Sequence, residues 1–236
     1  MSVDLAKMQA AAAALEHVEH GMILGLGTGS TANHFIRMLA ERVREGLVVG
    51  GLPTSEATRQ LAQSLGVPLI EVDQADRIDL TVDGADEIDP QFRLVKGGGG
   101  ALLREKIIAH ATDHMIVIAD EAKAVPCLGG FPLPVEVTAF GFTITAKKVF
   151  DALRESGCAT AEVSLRETGA PGRPYVTDGG NLILDCRCTE IPDADFLCEL
   201  LNTIPGVVEN GIFPMFPRTV RTIILGAPDG VRVLEA

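Results

Sequence analysis

Four stretches of this chain together carry side chains that could move protons and groups that could hold an anion. The first is GLGTGSTA, residues 25–32. A glycine-rich turn from strand to helix leaves backbone N–H groups pointing outward, and the helix start adds roughly half a positive charge. Thr28, Ser30 and Thr31, with Gly29 between them, add hydroxyl donors, so a phosphate suits the segment. No Gly-Lys-Ser/Thr follows, which excludes a Walker loop. Ser30 stands where a dinucleotide fingerprint has its third glycine. A phosphate cradle, a structural turn and a dinucleotide site all stay open on these residues alone.

The second stretch, VDGADEID at 82–89, crowds Asp83, Asp86, Glu87 and Asp89 around Gly84 and Ala85. It follows an apolar strand, and ligands of open α/β sheets bind beyond the carboxyl ends of strands. An ordinary Asp-Gly turn with capping carboxylates is the plain alternative, and a magnesium site is a further one. The third, KGGGGALLREK at 96–106, places Lys96 before Gly97, Gly98, Gly99 and Gly100, then opens a helix. Such a loop lets a ligand lie against bare backbone. By helical spacing Glu105 shares a face with Ala101, Ile108 and Ala109. A carboxylate among apolar neighbours is expected to have a raised pKa, which suits a general base near neutral pH. The fourth, IADEAK at 118–123, puts Lys123 just past a buried strand. Together these residues suit proton transfer on a phosphorylated small molecule. Lys7, in the first helix, reads as a surface charge unless the fold carries it to the phosphate.

The elements that must position them follow from the hydrophobic pattern. An Ala-rich helix runs to Gly21, and Met22 to Leu26 is a short strand. An amphipathic helix then extends from about Thr31 to Gly46. LVVGGLP is a second strand, and SEATRQLAQSLG a helix capped by Ser55 and stopped by Gly66. VPLIEV is read as a third strand and RIDLTVD as a fourth, ending at Asp83–Gly84. RLVKGG, the helix of Glu105 and the strand HMIVIAD complete the series. Alternating strands and helices imply right-handed crossovers and a doubly wound, Rossmann-like, mostly parallel sheet. LGGFPLPVEV then changes the texture. Beyond it, strand, helix, two strands and helix form a smaller α+β lobe on an antiparallel sheet. GVVENGIF reads as its closing strand, and TVRTIILGAPDGVRVLEA as a strand and hairpin returning to the first sheet. The expected division is an α/β domain of 1–131 and 208–236 with an inserted domain of 132–207.

Composition narrows the partners. With 47% hydrophobic residues the 236-residue chain can fill a core, and its net charge of -12 argues against nucleic acid and anionic membranes. There is no Trp and one Tyr, Tyr175, so base-stacking platforms for single-stranded nucleic acid are not expected. Five cysteines without a Cys-x-x-Cys read as reduced, buried thiols. The apolar-looking N-terminus is broken by Asp4, Lys7, Glu16 and Glu19, unlike a signal peptide. A soluble, cytoplasmic protein is expected, with no membrane partner.

The four stretches, in this order and spacing, resemble ribose-5-phosphate isomerase of the A type. FPLPVEV, IPGVVENGIF and the late LGAPDGV carry the resemblance across nearly the whole chain. It implies interconversion of D-ribose 5-phosphate and D-ribulose 5-phosphate in the non-oxidative pentose phosphate pathway, without metal or organic cofactor. It implies that Glu105 takes the C2 proton and returns it to C1 through a cis-enediolate. Asp83 would assist ring opening and proton movement at the sugar oxygens, and Lys96 would stabilise the oxyanion. Substrate binding would fall to Thr28, Gly29, Ser30, Thr31, Asp83, Gly84, Ala85, Asp86, Lys96, Gly97, Gly98, Gly99 and Lys123. A doubly wound α/β domain with an inserted α+β domain, in a homodimer or homotetramer, completes the implied picture. GIFPMFPRTVRTIILG, with Pro214, Pro217, Arg218 and Arg221, departs from the family pattern outside the catalytic stretches. The rival readings are a non-catalytic phosphosugar-sensing module, an acyl-CoA transferase with a glutamate nucleophile and a sugar-phosphate deaminase. A sensor would not need Asp83, Lys96 and Glu105 together, and the chain lacks a basic helix-turn-helix region.

Overall fold

The computed structural model describes residues 3–170, 172–227 and 230–235. Its chain divides into two compact units. The first holds residues 1–85, 104–123 and 215–236, the second 86–103 and 124–214.

The first unit is built on a six-stranded sheet. Its strands are β1 (Ile23–Leu26), β2 (Gly50–Pro53), β3 (Ile78–Asp83), β6 (Thr112–Asp120), β12 (Val220–Ala227) and β13 (Gly230–Glu235). The order is β13-β12-β6-β3-β1-β2, parallel throughout except for the hairpin strand β13. Inner strands such as β6 are near-continuous apolar runs because both faces are covered. On one face lie α1 (Val3–Leu15) and α2 (Ser30–Arg44), whose Ala10, Ala14, Phe35 and Leu39 join Leu24, Val82 and Ile118 in a core. Ile108 of α4 (Leu102–His110) packs with Leu52 and Ile78 in a separate cluster. The helix α3 (Glu56–Leu65) starts where expected, with Ser55 Oγ accepting from the Thr58 N–H, and stops at left-handed Gly66. Strand order reverses direction between β1 and β3: the chain leaves β1 for β2 on one side and reaches β3 on the other. That is the switch point at which open α/β sheets bind ligands.

The second unit carries two antiparallel sheets. Strands β7 (Leu133–Val137), β8 (Glu162–Leu165), β9 (Leu182–Arg187) and β10 (Val207–Asn210) are ordered β10-β7-β9-β8. With α5 (Phe142–Glu155) and α6 (Ala194–Asn202) they form a βαββαβ unit. The second sheet is β11-β5-β4, from β4 (Glu87–Ile88), β5 (Leu94–Val95) and β11 (Ile212–Phe213).

Three expectations change. VPLIEV forms no strand: it makes one bridge, Gly51 to Leu69, before a 3-10 turn at Val72–Gln74. Pro68 lacks the N–H that a ladder needs. GVVENGIF is two strands in two sheets, divided at Gly211, where a Cβ would lie 2.4 Å from the Lys96 carbonyl oxygen. The compact units also differ from the expected division at 131/132 and 207/208. Residues 86–103 join the second unit because β4 and β5 pair with each other and with β11. Of the late motif LGAPDGV, Pro228 and Asp229 lie outside the described residues.

Candidate functional site

In the first unit, β1 and β3 end side by side, and the turn after β1 passes against Asp83. A Cβ on Gly27 would fall 2.2 Å from Asp83 Oδ1, so only glycine permits this approach. Asp83 Oδ1 accepts the Thr28 N–H at 3.1 Å and the Gly84 N–H at 2.7 Å. The Asp83 side chain, 1% exposed, is thus fixed by backbone, and the two sequence stretches GTGST and DGAD meet through it.

Thr28 turns its hydroxyl inward. Its Oγ1 lies 2.8 Å from both Thr54 Oγ1 and Ser55 Oγ, and 3.1 Å from Thr58 Oγ1. Thr58 Oγ1 donates onward to the Gly27 carbonyl and Thr54 Oγ1 to that of Leu26. Thr28 therefore buttresses the turn through its hydroxyl instead of offering it outward. The buttress at Thr54 and Thr58 carries no sequence signal of its own. It becomes visible only once β2 is known to pair beside β1.

Gly29 and Ser30 are exposed and Thr31 is buried at the start of α2. No side chain caps this helix and its first turn holds no acidic residue. The first turn's N–H groups lack intrahelical partners by geometry. Lys7 Nζ, from α1, donates to Ser30 Oγ at 2.9 Å. A cation at a helix N-terminus opposes the dipole, so the pair makes sense around an anion. The fold thus brings Lys7 to the start of α2, which its place in the sequence left undecided.

Glu105 stands in the first turn of α4 and is 4% exposed, with Ile108 and Ala109 buried on the same face. The register of α4 can be read from Gly25. A Cβ there would lie 2.1 Å from Thr81 Oγ1 and 2.7 Å from Ile108 Cγ2, so Ile108 sits over β1 and β3 at that level. The helix runs antiparallel to the strands, because it ends at His110 just before β6 begins. Glu105 is three residues nearer the strand ends, about 4.5 Å. Asp83 is two residues beyond Thr81, about 6.6 Å. Both residues therefore stand beyond that level, toward the carboxyl end of the sheet. Lys123 closes a short 3-10 turn after β6, past the same edge.

In the second unit, Lys96 follows β5 directly. Its N–H donates to the Gly211 carbonyl at 2.9 Å, and its Nζ lies 5.5 Å from the centroid of the Phe213 ring. The side chain is held in place, 2% exposed, against an aromatic face that suits a cation. Gly97 has φ 102° and Gly100 φ 79°, which L side chains avoid. Gly98 and Gly99 are exposed. Asp86 joins this loop twice: its N–H donates to the Val95 carbonyl and its Oδ2 accepts the Gly98 N–H, both at 2.8 Å.

Glu87 and Asp89 serve structure. Glu87 accepts the N–H groups of Gly129 and Phe131, and Asp89 those of Gln91 and Arg93 together with the Arg93 guanidinium. Among the described residues no group of three or more His, Cys, Asp or Glu is placed to hold a metal ion. None of their helices is long and apolar enough to cross a membrane. All five cysteines are free thiols. In the departing late segment, the fully buried Arg221 lies over Phe216, whose ring meets His110 of α4 edge-on.

Residues 50–230 match the family model for ribose 5-phosphate isomerase A, also called phosphoriboisomerase A. Ribose-5-phosphate isomerase A of Maricaulis maris is 55% identical over 229 residues, 97% of each chain. That of Nitrobacter hamburgensis is 55% identical over 235 residues, covering 100% of this chain and 99% of its own. A solved D-ribose-5-phosphate isomerase in complex with phospho-erythronic acid is 39% identical and superposes with a TM-score of 0.91 over the whole of both chains. The ribose 5-phosphate isomerase A of Methanocaldococcus jannaschii is 39% identical, with a TM-score of 0.88 over the whole of both.

Proposed function

This chain belongs to the ribose 5-phosphate isomerase A family, and we propose that Glu105, Asp83 and Lys96 carry its proton transfer. It is an aldose–ketose isomerase that interconverts D-ribose 5-phosphate and D-ribulose 5-phosphate. The problem for such an enzyme is a weakly acidic C–H beside a carbonyl. Its removal needs a positioned base and a counter-charge for the enediolate. Glu105 takes the C2 proton of the open-chain aldose and returns it to C1. One carboxylate serves both carbons because they are adjacent. Asp83, fixed by two N–H donors, passes the proton between the sugar oxygens and assists ring opening. Lys96 stabilises the negative charge as it develops on oxygen.

The phosphate is held at the start of α2 by Ser30, Thr31 and backbone N–H groups, with Lys7 completing the cradle. Because the phosphate is remote from the reacting carbons, its binding energy orients the sugar. The exposed glycines, Asp86 and Lys123 complete the proposed substrate contacts. The observation that supports this reading best is the burial of two carboxylates, Glu105 and Asp83, toward the carboxyl end of a sheet whose first βα turn leads into an uncapped helix N-terminus that already gathers a lysine. A solved relative holding a phosphorylated sugar acid is in keeping with it.

Glu105→Gln removes the base and keeps the shape. It is expected to lower kcat by about 10²–10⁴, the usual contribution of an acid–base residue. Near-normal kcat in a folded Glu105→Gln protein would contradict the assignment.

A further inference from the structure

We infer that Arg166, with Tyr175 and Asp185, is a positioning clamp that aims the glycine loop at the sugar. The inference rests on the isomerase reading of that loop. Arg166 Nη1 donates to the Gly97 carbonyl at 2.9 Å and to the Gly98 carbonyl at 3.2 Å. The Tyr175 hydroxyl donates to the Gly99 carbonyl at 3.2 Å. Three consecutive carbonyls of the loop are therefore held from one side by two side chains of the antiparallel lobe.

Arg166 cannot swing away. Its Nε and Nη2 engage Asp185 on the neighbouring strand β9 at 3.0 and 2.5 Å, a two-point fork that fixes the guanidinium plane. The Tyr175 ring lies 5.9 Å from the guanidinium carbon and packs under Gly100, where a Cβ would fall 2.3 Å from the hydroxyl. Burial pushes the Tyr175 pKa up, so the phenol stays a donor.

The consequence follows from peptide geometry. In a planar trans peptide the N–H points opposite the carbonyl that precedes it. Holding the Gly97 carbonyl sends the Gly98 N–H the other way, where Asp86 receives it. Holding the Gly98 carbonyl sends the Gly99 N–H the same way. A cation on the carbonyl side also polarises that amide and strengthens its N–H as a donor. Glycines with no side chain to brace them would otherwise sample many orientations. The clamp supplies the order that the four glycines lack, and it makes the Gly99 N–H a preset donor to the enediolate oxygens. Arg166 and Tyr175 act through the loop and need no contact with substrate.

Steady-state kinetics with ribose 5-phosphate on Arg166→Lys, Arg166→Ala and Tyr175→Phe, beside the wild type, tests this. Arg166→Lys keeps the charge and loses the fork. It is expected to lower kcat by about 10- to 100-fold, the scale of a misplaced catalytic group, with KM within about threefold because the phosphate cradle is untouched. Tyr175→Phe keeps the ring and loses one donor, so a smaller fall in kcat is expected. Added guanidinium ion should restore part of the kcat of Arg166→Ala. Wild-type kcat in both Arg166→Lys and Tyr175→Phe would overturn the clamp while leaving the isomerase reading intact. So would parallel losses of kcat, KM and thermal stability without rescue by guanidinium, which mark a merely structural role. If the wild type forms no ketose, the isomerase reading fails and the role fails with it.

Discussion

The residues proposed for the phosphate cradle would act on binding, and those proposed at the strand ends on chemistry. Lys7 and Ser30 meet at 2.9 Å over the start of α2. Neither is proposed to touch the reacting carbons. Ser30→Ala and Lys7→Met are therefore expected to raise KM for ribose 5-phosphate by roughly tenfold or more while kcat falls less, as lost uniform binding would do. A fall in kcat with unchanged KM would move these residues out of the cradle. At this scale the sequence was partly legible. Asp83, Lys96 and Glu105 stood out by their glycine-rich surroundings. Glu87 and Asp89 looked much like Asp83 and, like it, accept backbone N–H groups, Asp89 holding the Arg93 guanidinium as well. The direction of the Thr28 hydroxyl was not legible, since beside a helix start it can face outward or the protein behind it, and here it meets Thr54, Ser55 and Thr58.

Elements set the level at which those residues stand. The α4 helix is seated over β1 and β3 by the absence of a side chain at Gly25. Gly25→Ala would force Thr81 or Ile108 to move, lifting the helix that carries Glu105. A loss of about 1–3 kcal/mol of stability is expected, the usual cost of overpacking. A fall in kcat of about 10- to 100-fold is expected with it, as a displaced base implies. Wild-type kcat in that variant, read beside its thermal unfolding, would show that the seat does not position the base. Helix and strand periodicity made most elements legible, and the capping pair Ser55 and Gly66 marked both ends of α3. VPLIEV was read as a strand, but Pro68 and an edge position leave it one bridge. GVVENGIF showed the pattern of one strand. That Gly211 lets it change sheets depends on the distant Lys96 and Pro134, which a local pattern does not contain.

At the scale of the molecule, alternating strands and helices identified the doubly wound sheet, and the sheet order places its switch point between β1 and β3. Nothing local told that residues 86–103 would pair with β11, more than a hundred positions later, and so join the second unit. The net charge of -12 is compatible with an anionic substrate, because the proposed cradle would act through nearby N–H groups and one lysine. All these placements serve one claim, that a single carboxylate carries a proton between neighbouring carbons. Incubation with ribose 5-phosphate in deuterated water tests it most directly, with the ketose product read by mass spectrometry and NMR. Ribulose 5-phosphate with deuterium at C1 is expected, to the extent that the carboxyl of Glu105 exchanges with solvent, with almost no ketose from Glu105→Gln. Equal ketose formation and equal labelling by the wild type and Glu105→Gln would contradict it.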